Sequence, residues 1–174
     1  VRPGGRAVIA TAHDSAYQAA LDLKAAGVDL HGLARHAAPT GAAFIAVSAE
    51  GENAIVVASG ANRLANASQI ETLAFGKTDL LLVQRELDDT QTLNAMAHAK
   101  KQGARVILNA APARTLSPEL IENIDLLVVN RVEATMVAGV TVETQDDAMG
   151  TLAAFDRTGV DVIITLGAAG LIVR

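Results

Sequence analysis

The chain has 174 residues, of which 51% are hydrophobic and 2% aromatic, and its formal net charge is −5. The absence of cysteine excludes disulfide bonds and thiolate metal sites, and the absence of a basic patch argues against nucleic acid as a partner. The first residues do not resemble a signal peptide, and no apolar run reaches the ~18 residues of a membrane helix. We therefore expect a cytoplasmic protein with one sizeable core and no membrane partner.

Strands and helices alternate along most of the sequence. Predicted strands cover residues 7–12, 79–84, 104–109, 125–129 and 160–164. Predicted helices begin at Asp14 or Ser15, at Ser68 with Glu71 completing a capping box, at residue 89, at Ser117, and at Thr144 with Asp147, the last ending near Gly159. The strands are continuously apolar, which is typical of parallel sheets with both faces covered. The sequence thus predicts an α/β fold with a doubly wound, mostly parallel sheet in a three-layer, Rossmann-type arrangement.

Residues 40–62 break this alternation. They contain two apolar runs joined by "AEGEN", with Gly51 in the turn, and this pattern predicts a β-hairpin. We expect the hairpin to form an inserted lid, while residues 1–39 and 63–174 form the α/β core. The chain does not begin with Met and ends directly after an apolar run, so we expect a fragment that is incomplete at both ends.

Polar or glycine-rich sequence follows each of the four later strands. The residues concerned are Gln84 and Glu86, Asn109, Asn130 and Glu133, and finally Thr165, Gly167 and Gly170. In open α/β sheets the ligand binds beyond the carboxyl ends of the strands, so these residues are candidates for a site. Each also has a purely structural explanation: Asn130 and Glu133 could form a capping box, the glycines could be turn residues, and Glu86 could be a solvated loop acid.

Other motifs are weak. The segment "TLGAAG" is neither a Walker A motif nor a dinucleotide-binding G-x-G-x-x-G. The histidines lack metal-ligand spacing, and the sequence contains no G-x-S-x-G nucleophile elbow.

Five stretches in order resemble the ribokinase-like family of carbohydrate kinases. They are "PTGAAFIAVSAEGENAIVVASGAN", "LLLVQRELDDT", "VILNAAPARTLSPELIENIDLLVVNRVEA", "GVTVETQDDA" and "VIITLGAAG", which extend from about residue 40 to the end of the chain. Residues 1–39 match more weakly. The resemblance implies ATP-dependent phosphorylation of a sugar hydroxyl, with ATP as co-substrate, Mg²⁺ as cofactor and K⁺ as a further cation in the complete protein. It also implies a homodimer formed through the lid.

The resemblance implies a role for each residue at the carboxyl ends of the strands. Substrate-binding residues would be Glu86 and Asn109, and Glu133 would organise Mg²⁺ through water. Nucleotide-binding residues would be Asn130, Thr165, Leu166, Gly167, Ala168, Ala169 and Gly170. Ribose is the expected substrate, with ribose 5-phosphate as product. The alternatives are fructose, a keto-deoxy sugar acid or a nucleoside such as adenosine, and a non-catalytic sugar- or nucleotide-binding module.

The chain departs from the family pattern in several places. The amino-terminal Gly-Gly-Lys-Gly-x-Asn stretch is absent, Arg85 replaces an apolar residue, and Arg131 occupies a position that is often acidic. The Gly-Ala-Gly-Asp motif, which supplies the catalytic base and the anion hole, is expected beyond Arg174. We therefore expect no catalytic base within this chain, and we expect the chain alone to be inactive.

Overall fold

The computed structural model describes residues 10–11, 15–49, 53–155 and 158–174. They belong to two compact units that divide after Leu73. Within the described ranges, no helix is both long and apolar enough to cross a bilayer.

The first unit contains two small sheets. Its elements are β1 (Ala10–Thr11), α1 (Ser15–Ala25), β2 (Ala34–Arg35), β3 (Ala42–Val47), β4 (Asn53–Ala58), a 3-10 helix (Gly60–Leu64) and α2 (Ser68–Glu71). Strands β1 and β2 pair in parallel, whereas β3 and β4 form an antiparallel ribbon. The hairpin predicted over residues 40–59 is therefore present, although its turn residue Gly51 lies outside the described residues, as do the cap candidate Asp14 and most of the strand predicted over 7–12.

The second unit is built on a five-stranded sheet with the order β5-β6-β7-β8-β9. Its elements are β5 (Leu80–Gln84), α3 (Asp89–Lys101), β6 (Arg105–Asn109), α4 (Pro118–Glu122), β7 (Leu126–Asn130), α5 (Arg131–Ala138), α6 (Gln145–Leu152), β8 (Asp161–Thr165) and β9 (Leu171–Val173). Strands β5 to β8 are parallel, and only β9 is antiparallel to its neighbour. The mostly parallel sheet predicted from the sequence is confirmed.

The core of this unit lies between one face of the sheet and the helices. Alternate strand residues point to this face and are fully buried: Val106, Leu108, Leu127, Val129, Val162 and Ile164. Met96 of α3, Leu120 of α4, Ala134 of α5 and Ala148 of α6 complete the same cluster. Because successive strand residues alternate between faces, the intervening residues, such as Leu80 and Leu82, are much more exposed.

Two local predictions differ from the structure. The capping box expected at Ser68 and Glu71 does not form. The side-chain contacts lie two residues earlier in the sequence: the Asn66 side chain accepts from the Ser68 N–H, and the Gln69 side chain accepts from the Asn66 N–H. The helix beginning after Thr144 ends at Leu152 and not near Gly159, since a 3-10 helix follows directly. The short strands β2 and β9 were not predicted, because two or three residues are too few to show an alternating pattern.

Candidate functional site

The carboxyl ends of four parallel strands meet at one edge of the main sheet. The strand register places Gln84 of β5 opposite Asn109 of β6, and Asn130 of β7 opposite Thr165 of β8. Between these pairs, Asn109 lies opposite Val128, so Asn130 extends two residues further than its neighbour. The structure therefore brings the polar residues that follow the four strands to the same edge, which we call the carboxyl edge.

Asn130 and Glu133 form a complete capping box at the start of α5. The Asn130 side-chain oxygen accepts from the Glu133 N–H at 2.9 Å, and the Glu133 carboxylate accepts from the Asn130 N–H at 2.8 Å. Only 7% of Glu133 is exposed. The structural explanation offered by the sequence is therefore correct, because both residues satisfy backbone donors that the first helical turn leaves open. A second role at the carboxyl edge remains compatible with these contacts.

The end of β8 lies beside this cap. The Thr165 hydroxyl donates to the Val129 carbonyl at 3.4 Å, so the two strand ends are linked immediately before α5 begins. The amino terminus of an eight-residue helix carries partial positive charge, which favours anionic groups nearby. This part of the carboxyl edge therefore suits negatively charged groups.

The 165–170 segment is a tight turn that reverses the chain into β9. The Leu166 N–H donates to the Gly170 carbonyl at 2.8 Å around a 3-10 helix. Gly167 and Gly170 have φ values of 63° and 89°, a region that other residues rarely adopt. The turn thus explains both glycines. Apart from each glycine and its chain neighbours, no atom of the described residues lies within 4 Å of the position that a Cβ would occupy at either glycine, so the backbone is also open to a ligand.

The two proposed sugar-side residues lie on neighbouring segments. Asn109 is the last residue of β6, and Glu86 follows β5 by two residues; both are partly buried. Leu166, in contrast, is a core residue with 5% exposure, so only its backbone is available to a ligand.

Arg85 has a structural role that was not predicted from the sequence. It is 2% exposed and donates to the carboxylate of Asp89 at 2.9 Å and to the carbonyls of Arg114 and Thr115 at 2.6 and 3.2 Å. Asp89 lies in the first turn of α3, whereas Asp88 is the residue that caps that helix. The available signal was an arginine at the end of an apolar strand, four residues before an acid.

Oxygen donors at the carboxyl edge fit part of a magnesium site. Glu133 and Asn130 offer a carboxylate and an amide, which are ligands that Mg²⁺ accepts together with water. Among the residues that the structure describes, no group of three or more His, Cys, Asp or Glu side chains could hold a metal ion. Any Mg²⁺ bound here would therefore need water or phosphate oxygens for most of its coordination.

Comparison with known proteins identifies the family. The family model described as pfkB family carbohydrate kinase matches residues 9–174. The chain therefore belongs to the pfkB family of carbohydrate kinases.

Individual relatives agree with this result. The chain is 39% identical to the ribokinase of Haemophilus influenzae over 137 residues, which cover 77% of this chain and 45% of that protein. It is 35% identical to the ribokinase of Staphylococcus aureus over 153 residues, covering 86% of this chain and 50% of that protein. A crystal structure of Cryptococcus neoformans ribokinase in complex with ADP superposes with a TM-score of 0.73 at 25% identity, over 97% of this chain and 58% of that one. The chain thus spans about half the length of the curated relatives it matches.

Proposed function

We propose that the full-length protein is an ATP-dependent sugar kinase that phosphorylates ribose to ribose 5-phosphate. Family membership and the similarity to two ribokinases support this proposal. The observation that carries it is the register of the sheet, which aligns Asn109 with the end of β5 and Asn130 with Thr165 on one carboxyl edge. An acceptor and a phosphoryl donor must lie side by side for transfer, and neighbouring strand ends provide adjacent positions for them.

In this proposal the carboxyl edge is divided between the two substrates. Glu86 and Asn109, which follow β5 and β6, bind sugar hydroxyl groups through their side-chain oxygens. Asn130 and the 165–170 turn, which follow β7 and β8, bind the nucleotide. The open backbone beside Gly167 and Gly170 and the positive end of α5 suit phosphate groups. The bound ADP in the Cryptococcus neoformans ribokinase supports a nucleotide partner.

Mg²⁺ is the expected cofactor, and Glu133 is the residue proposed to hold it through water. When bound, the ion supplies charge that offsets the developing negative charge on the phosphoryl oxygens. Within this chain, Glu133 contributes a buried carboxylate whose orientation is fixed by its bond to the Asn130 N–H. K⁺ is proposed as a further cation, to which no residue of this chain is assigned.

We assign the catalytic base to no residue of this chain. The described acids near the carboxyl edge already have partners: Asp88 caps α3, Asp89 binds arginine, and Glu133 completes the cap of α5. Glu86 is proposed to bind the sugar. We therefore place the base in the part of the full-length relatives that this chain does not span.

We further propose that residues 40–62 form a lid and that two copies of the protein pair through it. Both faces of the ribbon carry exposed apolar side chains, since Phe44 and Ile45 are adjacent residues that are 70% and 60% exposed. Burying such a surface against a second copy would stabilise a dimer. The remaining ranges, 1–39 and 63–174, then form the kinase core.

The test is a coupled ADP-release assay on the full-length protein with Mg²⁺ and K⁺. The acceptors are ribose, deoxyribose, fructose, a keto-deoxy sugar acid and adenosine. We expect the highest kcat/KM with ribose. A higher value with another acceptor would reassign the substrate. Nucleotide and sugar binding without ADP release for any acceptor would instead indicate a non-catalytic binding module.

A further inference from the structure

The pairing of β5 with β6 ends at Asn109, one of the two proposed sugar-side residues, and two residues before the other, Glu86. The last paired residues are Gln84 and Asn109, and beyond them the chain continues as two irregular segments, residues 85–88 and 110–117. Regular ladder hydrogen bonds cannot hold these segments together. The position of residues 85–88 must therefore be set by other contacts, and it determines how far Glu86 lies from Asn109, which the ladder itself holds.

Arg85 supplies those contacts with its backbone and its side chain. Its N–H donates to the Ala111 carbonyl at 2.9 Å, and its guanidinium donates to the Arg114 and Thr115 carbonyls at 2.6 and 3.2 Å. All three acceptors lie on the segment after β6. A planar guanidinium with five N–H donors can satisfy two carbonyls and a carboxylate at once, which an ammonium group on a flexible stem cannot reproduce.

Arg114 completes the arrangement in the opposite direction. Its guanidinium donates to the Arg85 carbonyl and, at 3.3 Å, to the Asp89 carboxylate. The Asp89 carboxylate also accepts from Arg85 through both of its oxygens, at 3.4 and 2.9 Å. Each segment therefore donates a guanidinium to the backbone of the other, with one carboxylate between the two arginines. We call these three residues the arginine clamp.

We propose that the arginine clamp is a positioning device that sets the distance between Glu86 and Asn109 and thereby the affinity for the acceptor sugar. The inference rests on the proposed function and deepens it. The N–H and the carbonyl of Arg85 both form hydrogen bonds with the segment after β6. The peptide groups on both sides of Arg85, the residue directly before Glu86, are therefore held in place. The residues of the clamp are positioning residues: they do not contact the sugar themselves but hold Glu86 in its binding position before the sugar arrives.

The location of the clamp predicts a selective effect. Its contacts lie at the ends of β5 and β6, whereas the residues proposed for the nucleotide follow β7 and β8. Loosening the clamp should therefore weaken sugar binding and leave nucleotide binding unchanged. If the contact only stabilised the fold, its loss would lower the melting temperature without affecting KM for sugar more than KM for ATP.

The experiment measures KM for sugar and for ATP separately in the full-length protein, together with sugar binding by calorimetry. The variants are Arg85→Met, which keeps the stem and removes the donors, Arg85→Lys, and Asp89→Asn. For Arg85→Met we expect KM for ribose to rise on the order of tenfold or more, with KM for ATP changed by less than about twofold. Lysine should restore only part of the affinity, because it retains the charge without the planar donor set.

Arg105→Met is the matched control. Arg105 also pairs with an aspartate, Asp161 at 3.4 Å, but this pair is exposed and lies at the amino ends of the strands. Removing it should change neither KM. If Arg85→Met does not fold, Asp89→Asn provides the test. The Asp89 side chain is 43% exposed, so the fold should tolerate its change, and the substitution removes the charged group that holds both guanidinium groups in place. We expect this variant to raise KM for ribose several-fold with KM for ATP unchanged.

Two results would overturn the inference, and they can be told apart. An active parent enzyme whose folded clamp variants keep the parental KM for ribose, or lose affinity for ribose and ATP equally, would overturn the clamp alone. A parent protein without sugar-dependent ADP release and without sugar binding would overturn the proposed function, and the clamp with it.

Discussion

Glu133 has an observed role in the fold and a proposed role in the chemistry. Its carboxylate accepts from the Asn130 N–H while its own N–H donates to the Asn130 side chain, and it is almost fully buried at the carboxyl edge. Capping requires only a hydrogen-bond acceptor, whereas the proposed magnesium role requires a negative charge. The two roles can therefore be separated by a substitution that keeps the acceptor and removes the charge.

Glu133→Gln makes that separation. The glutamine oxygen can still accept from the Asn130 N–H, so the fold should be nearly unaffected, with a cost of at most about 1 kcal/mol. If the charge acts on the transferring phosphoryl group, kcat should fall on the order of 10²-fold in the full-length enzyme, with a smaller effect on sugar affinity. Steady-state kinetics and the melting temperature, measured on the same preparation, test this prediction.

A second capping box provides the control. Thr144 and Asp147 make the same reciprocal contacts at the start of α6, at 3.1 and 2.9 Å, although no site residue is proposed there. Asp147→Asn should therefore leave kcat unchanged. An unchanged kcat in Glu133→Gln as well would reject the magnesium role and leave Glu133 as a capping residue.

Asp125 lies directly before β7, at the opposite end of the strands from the candidate site, and contributes to stability. Its carboxylate accepts from the Val106 N–H at 2.8 Å and pairs with Lys100 at 3.0 Å. Burial alone raises the pKa of Asp125, but the Val106 N–H and the Lys100 ammonium together outweigh burial and hold the pKa below its ordinary value. A lowered pKa means that the folded state favours the charged form. The resulting stabilisation is present above the unfolded pKa of about 4 and is lost as pH falls through the folded pKa.

Asp125→Asn removes this pH dependence. We expect the free energy of unfolding of the variant to be about 1–2 kcal/mol lower than that of the parent near neutral pH, because a hydrogen-bonded, partly exposed charge is lost. The difference from the parent should shrink steadily below pH 4. Urea unfolding at several pH values measures both quantities. A difference that stays constant down to the lowest pH at which both proteins fold would show that the charge of Asp125 does not contribute.

At the scale of elements, the buried parallel strands were the features that the sequence predicted best. The apolar runs around Val106, Leu127 and Val162 located three strands to within a residue, because buried parallel strands require continuous apolar sequence. The polar residues at their ends could be placed on one edge because parallel strands share a direction. Contacts between segments distant in sequence could not be foreseen. The bonds of Arg85 to Arg114 and Thr115 depend on two loops meeting after the sheet has formed.

The β3–β4 hairpin has exposed apolar side chains on both faces, and a two-stranded ribbon cannot cover its own faces. Phe44 pairs with Val56 and Ile45 pairs with Ile55, so each cross-strand pair presents an exposed apolar surface on its own face. An isolated two-stranded ribbon is only marginally stable in water. In the proposed dimer, a second copy of the protein covers these side chains.

Replacing Phe44 and Ile45 together by threonine should weaken self-association of the full-length protein. Threonine retains strand propensity, and the adjacent positions remove one large apolar side chain from each face. We expect the dimer dissociation constant to rise at least tenfold, or about 1.4 kcal/mol, as measured by analytical ultracentrifugation. Val140→Thr, at an exposed apolar residue of the second unit, should have no effect. A parent protein that stays monomeric at high concentration, with an ordered hairpin, would argue against the lid dimer.

At the scale of the whole molecule, the second unit carries the candidate site, and the catalytic base is proposed for the part of the full-length relatives that this chain does not span. The carboxyl edge provides an amide, a buried carboxylate, a glycine turn and the arginine clamp. Phosphoryl transfer to a hydroxyl also requires a positioned base to accept its proton. Among the described acids at the carboxyl edge, only Glu86 has neither a capping role nor an arginine partner assigned to it. The chain can therefore be tested for activity in isolation.

We expect residues 1–174, expressed alone, to show no sugar-kinase turnover above a protein-free blank. The reason is chemical: without a base, the attacking hydroxyl keeps its proton, however well the sugar and nucleotide are placed. The coupled ADP-release assay uses ribose, Mg²⁺ and K⁺, with the full-length protein alongside, and circular dichroism establishes that the isolated chain is folded. Weak nucleotide binding by the isolated chain, through Asn130 and the 165–170 turn, is expected and is measured by calorimetry. Ribose-dependent turnover near the full-length rate would contradict the prediction and would place the base within residues 1–174.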